Sequence, residues 1–138
     1  MRAFGIILML GLMMGAGCSQ GQRGDQPEKV ASDIQMYVIR GEVISVPKAG
    51  KPGTQFIVKH EPIHNFRDAS GQIVGMSTMG MPFTPGEGVS LEDISAGDKI
   101  EMRWVIQWKP EAKEYVESVR KLPADTQLRF GKAYPPTP

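Results

Sequence analysis

The chain contains little cysteine, little histidine and almost no net charge, and each shortage excludes a class of protein. One cysteine in 138 residues excludes an internal disulfide and a metal site built only from cysteine. The 16 basic and 15 acidic side chains give a formal net charge of +1, which excludes a basic nucleic-acid binder and a disordered polyelectrolyte. The apolar run Ala3–Ala16 has 14 residues, fewer than the roughly 20 that a transmembrane helix needs.

The N-terminal segment has the features of an export signal. Arg2 precedes the apolar run, and the small residues Gly15, Ala16 and Gly17 come directly before Cys18. This order is typical of a bacterial lipoprotein signal. We expect residues 1–17 to be removed and Cys18 to carry lipid, which would anchor the protein on the periplasmic side of the bacterial envelope. An unpaired thiol would otherwise be a liability in an oxidising compartment. The alternative is ordinary cleavage near Gly17, which leaves a soluble periplasmic protein.

Composition divides the rest of the chain into a tether, a folded domain and a tail. Residues 18–35 are polar and contain glycine, which is typical of a flexible tether. The folded domain is predicted over residues 36–123, and residues 124–138 form a tail with an extended, proline-rich end. The balanced charge gives no reason to expect nucleic acid as a partner, and we expect a monomer.

Within the domain, apolar and β-branched residues alternate with polar ones, which predicts strands. Five strands are predicted, over residues 37–46, 54–60, 79–83, 99–107 and 115–122. Gly41 indicates a bulge or bend, Pro82 indicates an edge or irregular position, and residues 90–94 suggest one helical turn capped by Ser90. This order matches an all-β fold, a small five-stranded OB-like Greek-key barrel. A small sandwich is the alternative.

Methionine is what the sequence has in excess, and its distribution matters more than its number. Four of the nine methionines precede Cys18, whereas Met76, Met79 and Met81 fall within six residues. Residues two apart on a strand point to the same face, so Met79 and Met81 would present two thioether sulfurs together. Thioethers are soft, neutral ligands that suit Cu(I) and Ag(I) and bind zinc, calcium or magnesium poorly.

An imidazole would complete such a site, and the chain has two histidines, His60 and His64, at the end of the second predicted strand and just after it. Outside the cytoplasm methionine also has an advantage over cysteine, because it forms no disulfides. The competing interpretation is that the methionines fill the core or form a pliable contact face. From the residues alone, both interpretations stay open.

Three segments resemble the CusF family of bacterial periplasmic copper- and silver-binding proteins: His60-Glu61-Pro62-Ile63, then Met79-Gly80-Met81-Pro82-Phe83, then the turn around Gly97-Asp98-Lys99. The resemblance covers about Val38 to Leu122. It implies a five-stranded OB-like barrel in which one histidine and two methionines hold Cu(I).

Carried onto this chain, the resemblance implies His60, Met79 and Met81 as ligands. Met76 stands where the family has a tryptophan that covers the ion through a cation–π contact, which implies a fourth ligand or a plain methionine cap. We expect His64 to be a solvated loop residue or an auxiliary ligand. Met36 and Met102 are expected to pack in the structure, as are Trp104 and Trp108, either of which could instead cap a metal.

The expected function is an extracytoplasmic Cu(I)- and Ag(I)-binding protein that acts as a metallochaperone or buffer, with a copper efflux system or another extracytoplasmic copper protein as partner. Delivery of copper to cytochrome oxidase assembly is an alternative. A second alternative is an OB-like lipoprotein that binds a protein or an oligosaccharide through a methionine-rich face. No Ser-His-Asp arrangement, phosphate-binding glycine loop or zinc spacing is visible, so we do not expect an enzyme.

Overall fold

The computed structural model describes residues 33–136, and within them the protein is all-β. The predicted signal segment, Cys18 and most of the predicted tether lie outside the described residues. Five strands form one antiparallel sheet: β1 Ile34–Ser45, β2 Phe56–His60, β3 Gly80–Phe83, β4 Lys99–Gln107 and β5 Lys113–Lys121. No helix among these residues is long and apolar enough to cross a membrane.

The sheet has the order β3-β2-β1-β4-β5, so the first strand lies at its centre. β4 pairs with β1 from Ile34 to Glu42, whereas β2 pairs only with the C-terminal part of β1, beginning at Gly41. Pro82 lies on β3, at one end of this order. Its edge position was predicted, since a residue without an N–H cannot complete the ladder of a central strand.

Alternation along the strands produces the core. On β1, Tyr37, Ile39 and Val43 are buried while the residues between them are exposed or are glycine. The same alternation on the other strands adds a continuous cluster of apolar side chains: Phe56, Val58, Phe83, Ile100, Met102, Trp104, Ile106 and Val116. Ile63, Phe66 and Ile94 from the loops complete this cluster. Burial therefore alternates every second residue along the strands, as the alternation of apolar and polar residues in the sequence predicts.

Two local predictions are wrong in detail. The register shift in β1 lies between Val43 and Ser45, not at Gly41. Residues 90–94 form a hydrogen-bonded turn instead of a helical turn, in which Ile94 N–H donates to Leu91 and Ser90 Oγ accepts from Glu92 N–H. A helix is disfavoured here because the chain must continue into the Gly97 turn, which pairs with β1. Gly97 N–H donates to the Val43 carbonyl, and the Asp98 carbonyl accepts Val43 N–H.

The two ends of the sheet meet. Past β3, Val116 N–H donates to the Thr84 carbonyl at 2.8 Å, and Gly86 N–H donates to the Val116 carbonyl at 2.8 Å. These bonds join the segment after β3 to β5, with a parallel bridge between Pro85 and Val116. Edge strands are thereby partly covered, and the fold is β-barrel-like.

Candidate metal centre

His60 ends β2 and is completely buried, with no side-chain surface in contact with solvent. Its Nδ1 lies 2.7 Å from the Glu61 carbonyl oxygen. A carbonyl can only accept, so Nδ1 carries the proton and Nε2 carries a lone pair. Among the described residues, Nε2 is buried without a hydrogen-bond partner. His60 therefore presents the bare nitrogen and the fixed tautomer that a metal-ligating histidine has.

The environment of His60 keeps the imidazole neutral. Burial lowers the pKa of His60 below its usual value of 6.5, and the hydrogen bond to Glu61 opposes this shift only in part. The ring is therefore uncharged at neutral pH. A neutral imidazole is the form that binds metals, because an imidazolium has no lone pair to donate.

Met81 lies on β3, the neighbour of the strand that ends at His60, and Met79 immediately precedes β3. Val58 pairs with Met81, and His60 N–H donates to the Met79 carbonyl at 3.2 Å, two positions further along. Directly opposed residues have Cβ atoms about 5 Å apart, and diagonal ones are within reach of long side chains. The register therefore places Met81 opposite Val58 and Met79 opposite His60, at alternate positions along one segment of the chain.

These three side chains form a gradient of exposure. His60 is fully buried, Met81 is partly buried against the core, and Met79 is 50% exposed. The edge of the His60 ring belongs to the core as well, where it meets the Phe83 ring in a T-shaped contact with centroids 6.3 Å apart.

Gly41 explains how β2 can pack so closely at this point. It pairs with His60, and a Cβ on Gly41 would lie 2.6 Å from the Lys59 carbonyl oxygen and 3.0 Å from the His60 Cα. Both are backbone atoms, so no rotamer change could relieve the contact. The absence of a side chain at Gly41 is thus what allows the backbone around His60 to occupy its position.

Met76 lies in a different environment from the other two methionines. Its backbone forms a bridge with Ile63, and its partly buried side chain packs against the core. It lines an apolar cavity of about 270 Å³ together with Phe66, Trp104 and Trp108. His60, Met79 and Met81 do not line that cavity. The structure therefore places Met76 at a cavity that it shares with two tryptophans.

His64 is exposed and already engaged through one ring nitrogen. Its Nδ1 accepts a hydrogen bond from Tyr134 N–H at 2.9 Å, and the two rings stack with centroids 6.3 Å apart. The Nδ1 lone pair is thus used by the C-terminal segment. His64 lies four residues beyond His60, past the end of β2.

The remaining predicted packing residues differ in their surroundings. Met102 and Trp104 are buried in the core, as expected, and Trp104 Nε1–H donates to Glu114. Trp108 is half-buried with its Nε1–H buried and unpartnered among the described residues.

Met36 is 48% exposed on the outer face of β1, where its sulfur accepts a hydrogen bond from Arg103. Packing in the core was therefore a wrong expectation for Met36, because even-numbered residues of β1 face outward.

Sequence reasoning missed two partners of this site. Glu61 holds His60 through its carbonyl and accepts Arg129 N–H through its carboxylate. The C-terminal residues Gly131 and Ala133 donate to Thr78 and Ser77, the residues just before Met79. No signal in the sequence could have found the second contact, since it joins polar side chains to a backbone more than 50 residues away.

A larger groove lies elsewhere among the described residues. It has a volume of about 480 Å³ and runs between the N-terminal half of β1 and the loop after β2, lined by residues such as Met36, Arg40, Pro62 and Glu101. None of the three predicted ligands lines it. It is an open groove with charged and polar side chains in its lining, unlike the mostly apolar, enclosed pockets that bind small molecules.

Over residues 33–136, no group of three or more His, Cys, Asp and Glu side chains is placed to hold a metal ion. The candidate centre differs in chemistry from such a group, since two of its three donors are thioether sulfurs. Comparison of the chain with protein-family models, curated proteins and solved structures gives no match. The case for the centre therefore depends on the residues and their geometry.

Proposed function

We propose that the protein is an extracytoplasmic Cu(I)- and Ag(I)-binding protein that acts as a metallochaperone or buffer. His60, Met79 and Met81 are the proposed ligands. Met76 is the proposed cap, or a further sulfur ligand if its loop rearranges to bring it closer to the ion. His64 can act as an auxiliary donor only after its hydrogen bond to Tyr134 N–H is broken.

The observation that carries this proposal is the Nε2 atom of His60. It is buried without a partner among the described residues, while the other ring nitrogen is held by the Glu61 carbonyl. Leaving a buried polar atom unpaired costs about 1–3 kcal/mol. Such an atom in a native structure therefore usually has a function, such as binding an ion. The two thioethers on the neighbouring segment indicate which kind of ligand the atom serves.

Ligand chemistry favours a monovalent soft ion. One imidazole and two thioethers are all neutral, so they add no negative charge to offset a divalent cation. Cu(I) and Ag(I) accept such donors in several geometries, which lets ligands be exchanged one at a time. Half-exposed Met79 supports exchange with a partner protein, because an incoming ligand can replace its sulfur first.

Strand order supports the finer fold proposal. We propose an OB-like Greek-key barrel, in which β1 is central and the segment after β3 returns to β5. The resemblance to the CusF family, noted on the residues around His60, Met81 and Gly97, is part of the same proposal. A copper efflux system is the proposed partner, and a cytochrome oxidase assembly factor is the alternative recipient.

The proposed location is the periplasmic side of a bacterial membrane, with Cys18 as the lipidated residue. This proposal rests on the export-type segment before Cys18. It also fits the choice of methionine over cysteine as the sulfur donor, because thiolates oxidise in that compartment.

The test is a metal titration with a sulfur-specific variant. The chain carrying Cys18→Ser, so that no thiolate competes, is titrated with Cu(I) anaerobically against a chromophoric chelator, and separately with Ag(I). We expect one ion per chain. Met79→Leu/Met81→Leu keeps side-chain volume and should weaken binding by more than about 100-fold, beyond the loss typical of an outer-sphere partner.

Two other methionines provide matched controls. Met102→Leu makes the same change at a buried position and Met36→Leu makes it at a position 48% exposed, close to the exposure of Met79. Both should bind the ion as the parent chain does. If the parent chain binds no more tightly than Met79→Leu/Met81→Leu, the metal proposal is wrong and the methionine-rich contact face becomes the better interpretation.

A further inference from the structure

The C-terminal residues Arg129–Tyr134, called here the C-terminal clamp, lie against the loops that flank the proposed ligands. Gly131 exchanges two hydrogen bonds with Thr78: its carbonyl accepts Thr78 N–H at 2.9 Å and its N–H donates to Thr78 Oγ1 at 3.0 Å. Ala133 N–H donates to Ser77 Oγ at 3.0 Å. Both contacts fall on the residues immediately before Met79.

The same segment also holds the residues on either side of His60. Arg129 N–H donates to the Glu61 carboxylate, and the Glu61 carbonyl in turn accepts Nδ1–H of His60. On the other side, the Lys59 ammonium lies 4.4 Å from the centroid of the Phe130 ring, within the range of a cation–π contact. The clamp thus joins the strand end that carries His60 to the loop that carries Met79.

We propose that the C-terminal clamp positions the metal ligands and thereby sets how fast the bound ion leaves. This inference rests on the proposed metal-binding function. The spacing between His60 and Met79 depends on two chain segments that meet at one edge of the sheet, and the clamp bonds to both. With the clamp docked, separation of the Met79 loop from β2 requires these hydrogen bonds to break as well.

The clamp can act in this way because it is attached to the domain mainly by hydrogen bonds. Most of its side chains are exposed, and its bonds go to side-chain acceptors and loop backbone rather than to a strand ladder. Segments with few buried contacts open at low free energy, well below the free energy of global unfolding. The clamp can therefore detach while the five-stranded core stays folded.

Release of Ag(I) from the Cys18→Ser chain tests the inference. Dissociation is followed after mixing the loaded protein with excess competing thiol. Ser77→Ala/Thr78→Val removes the two side-chain acceptors that the clamp uses beside Met79 and leaves those of Glu61 and His64 in place. Each hydrogen bond contributes about a factor of five to ten to the equilibrium between the docked and the detached clamp. We therefore expect Ag(I) release to become at least about tenfold faster.

The matched control is Ser77→Thr/Thr78→Ser, which exchanges the two side chains but keeps both hydroxyl acceptors. It should release Ag(I) at the parent rate, and both double variants should keep a single cooperative urea transition, which shows that the five-stranded core stays folded. A second measurement uses the parent chain alone. Because coupling between binding free energies is reciprocal, a clamp that strengthens Ag(I) binding is itself stabilised by Ag(I), so Ag(I) should slow solvent exchange of the Gly131 and Ala133 amides.

The outcomes separate the two proposals. The clamp proposal is wrong if the parent chain binds Ag(I) but both double variants release it at the same rate. It is also wrong if Ag(I) leaves the exchange rates of the Gly131 and Ala133 amides unchanged. Neither result would contradict the proposed metal centre. If the parent chain binds no Ag(I), both proposals are wrong. Faster release from the hydroxyl-free variant alone, with slowed amide exchange in the parent, supports the clamp.

Discussion

At the scale of single residues, His60 combines two features that stability alone would not favour together. It is a buried polar side chain, and one of its nitrogens has no partner among the described residues. A leucine of similar volume would remove the unpaired nitrogen altogether, and that gain would offset the loss of the hydrogen bond to the Glu61 carbonyl. The imidazole is therefore best explained by what it binds.

His60→Leu should separate stability from binding. At neutral pH without metal, we expect its free energy of unfolding in urea to be within about 1 kcal/mol of the parent value or higher, since the unpaired nitrogen is removed. Ag(I) should raise the urea midpoint of the parent chain by mass action and leave that of His60→Leu unchanged. A larger loss of stability in the metal-free variant would indicate that the imidazole has a structural role instead.

At the scale of strands, one carboxylate connects three strands on the outer face of the sheet. Glu101 on β4 lies 3.0 Å from Arg40 Nε on β1 and 2.6 Å from Arg120 Nη2 on β5. The Arg40 carbonyl also accepts Glu61 N–H at 2.8 Å. The network therefore holds the central strand at the point where the chain leaves β2 beyond His60.

Glu101 should make stability depend on pH in acid. The hydrogen bonds from Arg120 and Arg40 hold the pKa of Glu101 below its usual value of 4.5, so its contribution is fully present above that value and is lost as the pH falls through the lower folded-state pKa. Because both arginines are largely exposed, we expect Glu101→Gln to lose only about 0.5–1 kcal/mol at pH 7. Urea unfolding measured from pH 7 to pH 2.5 should show the two proteins converge in acid.

The control for this prediction is Glu117→Gln on β5. Glu117 makes one exposed ion pair, 3.2 Å from Arg103 Nε, so its replacement should change the free energy of unfolding less than Glu101→Gln does. A difference between Glu101→Gln and the parent that stays constant down to pH 2.5 would contradict the role given to the two arginines.

At the scale of the whole molecule, the segment after β3 determines whether the sheet is open or closed. Gly86 lies against β5, and a Cβ at this position would be 2.8 Å from the Val116 carbonyl oxygen and 3.1 Å from the Tyr115 ring. The contact is with backbone, so a side chain would push the two ends of the sheet apart. Closure in turn covers the edge of β3, which carries Met81.

Gly86→Ala should therefore weaken closure. We expect a loss of about 1–3 kcal/mol in the free energy of unfolding, the usual cost of an overpacked contact, and faster exchange of the Val116 amide, which donates to Thr84. Gly131→Ala is the control, since a Cβ there would meet no atom within 4 Å. Equal stability of the two variants would mean that the junction with β5 contributes little.

Much of the fold could be predicted from local patterns. β4 has the predicted bounds, and the other four strands differ from the prediction by no more than three residues at either end. β1 begins earlier than predicted because its pairing with β4 extends to Ile34, and such pairing is not visible in local composition. The helical turn at residues 90–94 was wrong because the adjoining Gly97 turn must meet β1.

The sequence by itself determined that Met79 and Met81 share a face, since alternation along a strand is a local property of the backbone. It also determined that the chain would form strands rather than helices. Only the tertiary structure decided that His60 is buried with Nε2 bare, that Met76 lies beside Trp108, and that the C-terminal clamp contacts Ser77 and Thr78. These features depend on contacts between distant segments, and their geometry is set by packing rather than by neighbouring residues.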